Sequence, residues 1–188
     1  MIRNVFNFTV IFVALTGSVF AQQDLSKIEW ISIEEALERQ QLDPKKLLVE
    51  VYTDWCKVCH KLDQISLSQP QVAVYINENY YPVKFNAESK KAINFMGKQY
   101  NFVEKSNTGY HEFAYKITHG KLNYPSLVFL DKDLSIIQSI YGFHGPDKLL
   151  KVLTYFAEDY NKKLPWKDFN AQYNNMIYNS SSSIQRNN

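Results

Sequence analysis

Cysteine is almost missing from this chain: its 188 residues contain two, Cys56 and Cys59. That excludes a scaffold held by several disulfides and a zinc module with four thiolate ligands. Whatever the two thiols do, they do together. An excess of one charge is missing too. Twenty-one Lys and Arg face nineteen Asp and Glu, and no basic run occurs, so the electrostatic footprint of a nucleic-acid binder is absent. No internal repeat is visible, and beyond residue 21 no apolar run approaches the length of a membrane span. What the chain does have is length and 45% apolar residues, enough for one good-sized core and too little for two comfortable ones.

The one long apolar stretch lies at the start. Arg3 sits in a short polar opening, Val5 to Phe20 is mostly apolar, and Val19-Phe20-Ala21 offers small residues where a signal peptidase cuts. Residues 1–21 are therefore expected to be a cleaved export signal, which places the mature chain in the periplasm or outside the cell, where disulfides persist. A retained anchor is the competing reading of the same stretch. Gln22-Gln23-Asp24 supplies no stop-transfer pattern, and no cysteine stands at the cut for a lipid anchor.

Along the mature chain, Ile28 to Ile31 reads as a short strand, and Ser32 with Glu35 forms a capping pair that opens a helix to about Gln40. Leu47 to Tyr52 is the pattern of a strand buried on both faces, with Glu50 as its anomaly. A helix follows Cys59, and Pro70 opens another that runs to Asn79. Tyr81 to Phe85 is a strand. Ala92–Met96 and Gln99–Val103 flank Gly97-Lys98, predicting a hairpin with glycine in the first central position of its turn. Glu104 to Gly109 reads as loop and Tyr110 to Thr118 as helix. Ser126–Leu130 and Leu134–Tyr141 pair as a hairpin, and Pro146 opens a helix to about Asn161. Trp166, Phe169, Tyr173 and Ile177 recur at helical spacing, predicting a helix that docks on the domain or, alternatively, binds a partner; Ser180 to Asn188 reads as a disordered tail.

Cys56-Lys57-Val58-Cys59 lies between a buried strand and a helix, where unpaired backbone N–H groups favour an anionic sulfur on Cys56. The helix dipole contributes roughly 0.3–1 kcal/mol, against about 1.4 kcal/mol for one pKa unit. Other donors and the neighbouring Lys57 must supply the remainder. The spacing lets Cys59 attack a mixed disulfide formed on Cys56. A bridge with a purely structural role closes too short a loop to constrain the unfolded chain much.

Glu50, Trp55, Cys56, Cys59 and Tyr124-Pro125, followed by the strand Ser126–Leu130, resemble the thioredoxin superfamily in order and approximate spacing. The likeness covers about Leu47 to Asn161. The chain resembles especially exported members such as the C-terminal domain of the bacterial disulfide reductase DsbD, through Val49–Lys61 and Ser68–Val72. The resemblance implies an α/β thioredoxin-like fold, a central mixed β-sheet flanked by helices, over residues 22–161. An extra hairpin insertion at about 87–109 and a C-terminal extension over 162–188 would be added to it. It implies a thiol–disulfide oxidoreductase needing no cofactor and no metal, acting on envelope proteins, with reduction or isomerisation favoured over net oxidation. A membrane-embedded thiol transporter is the implied electron donor. By the same likeness Cys56 attacks, Cys59 resolves and Glu50 is a buried acid serving Cys59 as acid and base. Trp55, Tyr124 and a cis Pro125 line the substrate groove, and Lys57-Val58 tunes the couple. Against these stand a water-facing Glu50 and an ordinary trans proline.

Two rivals remain open from sequence. Cys56-Lys57-Val58-Cys59-His60 also spells a c-type haem attachment motif, with Met96 or Met176 as second iron ligand. A thioredoxin-fold module that binds without turnover is the other. Tyr110, His111 and His119 are too scattered to read as metal ligands, and His60 reads as a solvent-facing helix residue.

Overall fold

The structure is a computed structural model and describes residues 26–105 and 108–175. The stretch 1–21 expected to be an export signal, Met176, Ile177 and the tail from Ser180 lie outside those residues. Four strands form the central sheet in the order β2-β1-β7-β8: β1 (Lys46–Tyr52), β2 (Tyr80–Asn86), β7 (Ser126–Leu130) and β8 (Ile136–Tyr141). Strand β1 runs parallel to β2 and antiparallel to β7, and β7 is antiparallel to β8, so the sheet is mixed. Helices cover both faces, as a strand with two apolar faces requires.

Alternation along β1 assigns the layers. Leu47, Val49 and Val51 point into a core shared with α1 (Ile33–Leu42) and α4 (Glu112–Ile117). Leu48 points the other way, into a core built with α2 (Lys57–Leu62), α3 (Pro70–Asn79) and α5 (Pro146–Ala157). Period two puts Glu50 on the Leu48 side. Local chemistry sets the helix starts. Ser32 Oγ accepts from the Glu35 amide at 3.1 Å, and Pro70 and Pro146 occupy first-turn positions where a missing N–H costs nothing.

Several expectations need correction. The predicted strand Ile28–Ile31 shrinks to a single bridge between Ile31 and Val83. After α2 the chain widens into a π segment, Asp63–Leu67, whose extra residue shifts the buried stripe: Ser66 and Leu67 turn inward while Ile65 is exposed. The first predicted hairpin exists, as β3 (Ile93–Phe95) and β4 (Lys98–Tyr100), but its turn centres on Met96 and Gly97, with φ of 51° and 74°. Glycine thus holds the second central position, and both central residues are left-handed, as a primed turn of the first type demands. A second hairpin, β5 (Phe102–Lys105) with β6 (Thr108–His111), replaces most of the predicted loop and the start of the predicted helix. Gly109 permits it, because a Cβ there would stand 2.0 Å from the Phe102 ring that lies across the glycine. The second hairpin therefore runs through His111.

Past α5, a 3₁₀ turn (Tyr160–Lys162) leads to a last helix, α6, over residues 166–175. Phe169 is fully buried, stacked at 4.8–5.0 Å from the Tyr160 and Tyr155 rings, so the aromatic stripe is core and the helix is docked.

Candidate active site

The site forms where β1 ends and α2 begins. Cys56 is the N-cap of α2, in extended backbone, and Cys59 sits in its first turn. Their sulfurs are bonded to each other, with Cα atoms 5.3 Å apart. The two differ in access: Cys56 is 5% exposed and Cys59 is fully buried. The Cys59 amide donates to Cys56 Sγ at 3.1 Å, so the capping role that a serine or aspartate oxygen often fills is taken by sulfur. An N–H aimed at a sulfur in this way stabilises negative charge on it.

The Tyr124–Pro125 peptide bond is cis, and Pro125 is buried immediately before β7. Trp55 is 65% exposed, its indole edge-on to Tyr124 at 6.1 Å and its Nε1–H donating to Glu88 at 3.0 Å. Burial, reinforced by the Glu88 charge, pushes the Tyr124 phenol up to about 12. Lys57 and Val58 are both exposed beside the sulfurs. An open groove of about 520 Å³ continues from Asp54 along Asn86 and Glu88 to Phe102 of the second hairpin.

Glu50 is fully buried in β1, in register with Lys84 on β2 and Leu127 on β7. It is not the water-facing acid of the competing reading. Burial raises its carboxyl from 4.5 to about 7; Lys84 pulls it down and Asp63 pushes it up. Lys84 Nζ lies 3.2 Å from Glu50 Oε2, yet it donates its hydrogen bonds to both oxygens of Asp63, at 2.7 and 2.8 Å. Neither Glu50 oxygen accepts a well-directed hydrogen bond. For Lys84, burial works against the charge, but the two carboxylates outweigh it and its pKa is raised.

Sequence reasoning missed Lys84, Asp63 and Glu88. A signal existed for the first two: a lone lysine in the apolar run Tyr80–Phe85, and an acid four residues beyond Cys59, one helical turn on. The remaining candidates fall elsewhere. His111 is a buried cap whose Nδ1 accepts from the Phe113 amide and whose Nε2 donates to the Lys91 carbonyl, each at 3.1 Å. Tyr110 lies in β6 and stacks on Tyr115, and His119 lies in the turn after α4. His60 is exposed on α2 and Met96 is 64% exposed at a hairpin turn.

Comparison with known proteins fits this geometry. No curated protein matches the chain. Among solved structures, the DsbH oxidoreductase overlays with a TM-score of 0.53 at 16% identity, over 75% of this chain and 93% of its own. A thioredoxin from Thermus thermophilus overlays at 0.51 and 18%, over 68% and 85%. A putative disulphide-isomerase from Bacteroides thetaiotaomicron overlays at 0.50 and 24%, over 70% and 94%. These overlays show the fold. The sequence pattern of the thioredoxin-like domain matches residues 33–157, two thirds of the chain, and this protein belongs to that family.

Proposed function

We propose that this protein is an exported thiol–disulfide oxidoreductase that reduces or isomerises disulfides in envelope proteins. The observation that carries the reading is the unequal burial of two bonded sulfurs at a helix start, Cys56 touching solvent and Cys59 sealed beneath it. In the reduced protein the Cys56 thiolate attacks a substrate disulfide. One substrate sulfur leaves as a thiolate, and the other is held on Cys56. Cys59 then gives its proton to Glu50 and attacks Cys56 Sγ, which releases the second substrate thiolate and closes the Cys56–Cys59 bond. Two electrons pass to the substrate, and the Cys56 and Cys59 protons end on its two sulfurs. Regeneration requires a dithiol donor, for which a membrane-embedded thiol transporter is the fitting class.

Three features support the finer parts of this reading. An acid near pKa 7 can take and return a proton at neutral pH. The exposed Trp55 ring edge-on to Tyr124 supplies an aromatic surface next to Cys56 in the chain, suited to holding a substrate segment. The apolar stretch Val5–Phe20 supports action outside the cytoplasm.

Equilibration of the purified protein against dithiol buffers, with insulin reduction as the activity readout, tests the proposal. Insulin reduction and a potential toward the thioredoxin end of the family range, about −270 mV, are expected; a value near the oxidising end, about −120 mV, would reverse the direction.

A further inference from the structure

Lys84 is shared unequally between two acids. Asp63, the first residue of the π segment, holds it through both oxygens, while Glu50 meets it at 3.2 Å without a directed hydrogen bond. The aromatic faces of Trp30 and Tyr52 stand 5.4 and 5.1 Å from the same ammonium, fixing it from other sides. The asymmetry has a physical cause. The Asp63 side chain is 31% exposed, so water helps carry its charge, whereas Glu50 is fully buried and pays desolvation in full.

We propose that Asp63 is a positioning residue for the redox site: by clasping Lys84 it denies Glu50 a full cationic partner and sets a second negative charge beside it, which favours the protonated form of the buried acid. This inference rests on the reading of Glu50 as the acid and base for Cys59. The position of Asp63 is suited to the task, since its backbone N–H donates to the Cys59 carbonyl and its side chain leaves the helix one turn beyond the resolving sulfur. Among the described residues, the charged and titratable groups set against Glu50 are Lys84 from β2, Asp63 from the helix and Tyr52 from its own strand, with the uncharged Leu127 in register on β7. Removing the Asp63 charge frees Lys84 to turn its protons to Glu50 and removes a repulsion. Both changes favour the ionised form, so they act in one direction.

The test follows the Glu50 carboxyl carbon by NMR titration in the oxidised full chain, where neither cysteine titrates. Asp63→Asn is expected to lower the Glu50 midpoint by about one pH unit, and Lys84→Met to raise it. Asp63→Glu, which restores a carboxylate, is expected to return the midpoint toward the wild-type value, and Asp63→Ser repeats the asparagine test with a smaller side chain. A midpoint that stays in place or rises in both Asp63→Asn and Asp63→Ser overturns the proposal. The pH profile of mixed-disulfide resolution separates this from the underlying reading. If the NMR midpoint moves and the kinetic profile does not, the hold of Asp63 on Glu50 is supported, and it is the acid–base role of Glu50 that fails.

Discussion

Cys56→Ser is expected to bring insulin reduction to background, a loss on the order of a thousandfold or more, while Cys59→Ser keeps the first attack and stops there. The asymmetry follows from access and order. Only Cys56 reaches solvent, so only its sulfur meets a substrate disulfide, and a serine hydroxyl at that position is far too weak an acid to supply an anion near neutral pH. Cys59, fully buried, cannot take its place. In the Cys59→Ser protein the mixed disulfide on Cys56 has nothing to resolve it, so covalent complexes with substrate should accumulate as bands that dithiothreitol dissolves. Non-reducing electrophoresis of both variants after incubation with an oxidised protein substrate reads the two outcomes together. Trapped complexes in Cys56→Ser, or none in Cys59→Ser, would assign the roles the other way round. Intact partner affinity after loss of both cysteines, with no turnover in the wild type, would instead mark a binding module.

The second large effect is on stability against pH, and its sign is opposite to that of most carboxylates. Folding raises the Glu50 pKa from 4.5 to about 7. Between those values the folded protein holds a proton that the unfolded chain has released, so stability falls as pH rises through the window and is level above it. Two and a half units correspond to about 3 kcal/mol. Glu50→Gln removes the proton exchange and keeps the shape. Lys84 retains its two bonds to Asp63 in that variant, so no buried cation is orphaned. Urea unfolding of the oxidised proteins at pH 4.5, 6 and 8 should show the glutamine variant gaining about 3 kcal/mol on the wild type across the series. Parallel stability curves would mean that Glu50 is ionised throughout.

Most of the framework was legible because its signals are local. The strand Leu47–Tyr52 declares itself by a continuous apolar run, α3 and α5 by a proline in the first turn, and the sulfur pair by spacing alone. What escaped was non-local or turned on one residue. Lys84 meets Asp63 across 21 positions, and nothing in the intervening sequence announces that two parallel strands bring it beside Glu50. The second hairpin hid because Gly109 looks like a loop residue until the Phe102 ring lying over it is seen. The π segment moved Ile65 outward by a single inserted residue, which periodicity drawn at 3.6 cannot register. A pattern of apolar residues thus located the core, while the site's electrostatics depended on which strands are neighbours.

The central claim is that Cys56 carries the reactive anion, stabilised at the mouth of α2 by the amide of Cys59. Alkylation of the reduced protein by iodoacetamide, followed across pH with mass-spectrometric assignment of the modified cysteine, measures it directly. Selective modification of Cys56 with a midpoint below the ordinary thiol value of about 8.5 is the expected result. Slow modification with a midpoint at or above that value, or preferential labelling of Cys59, would contradict it.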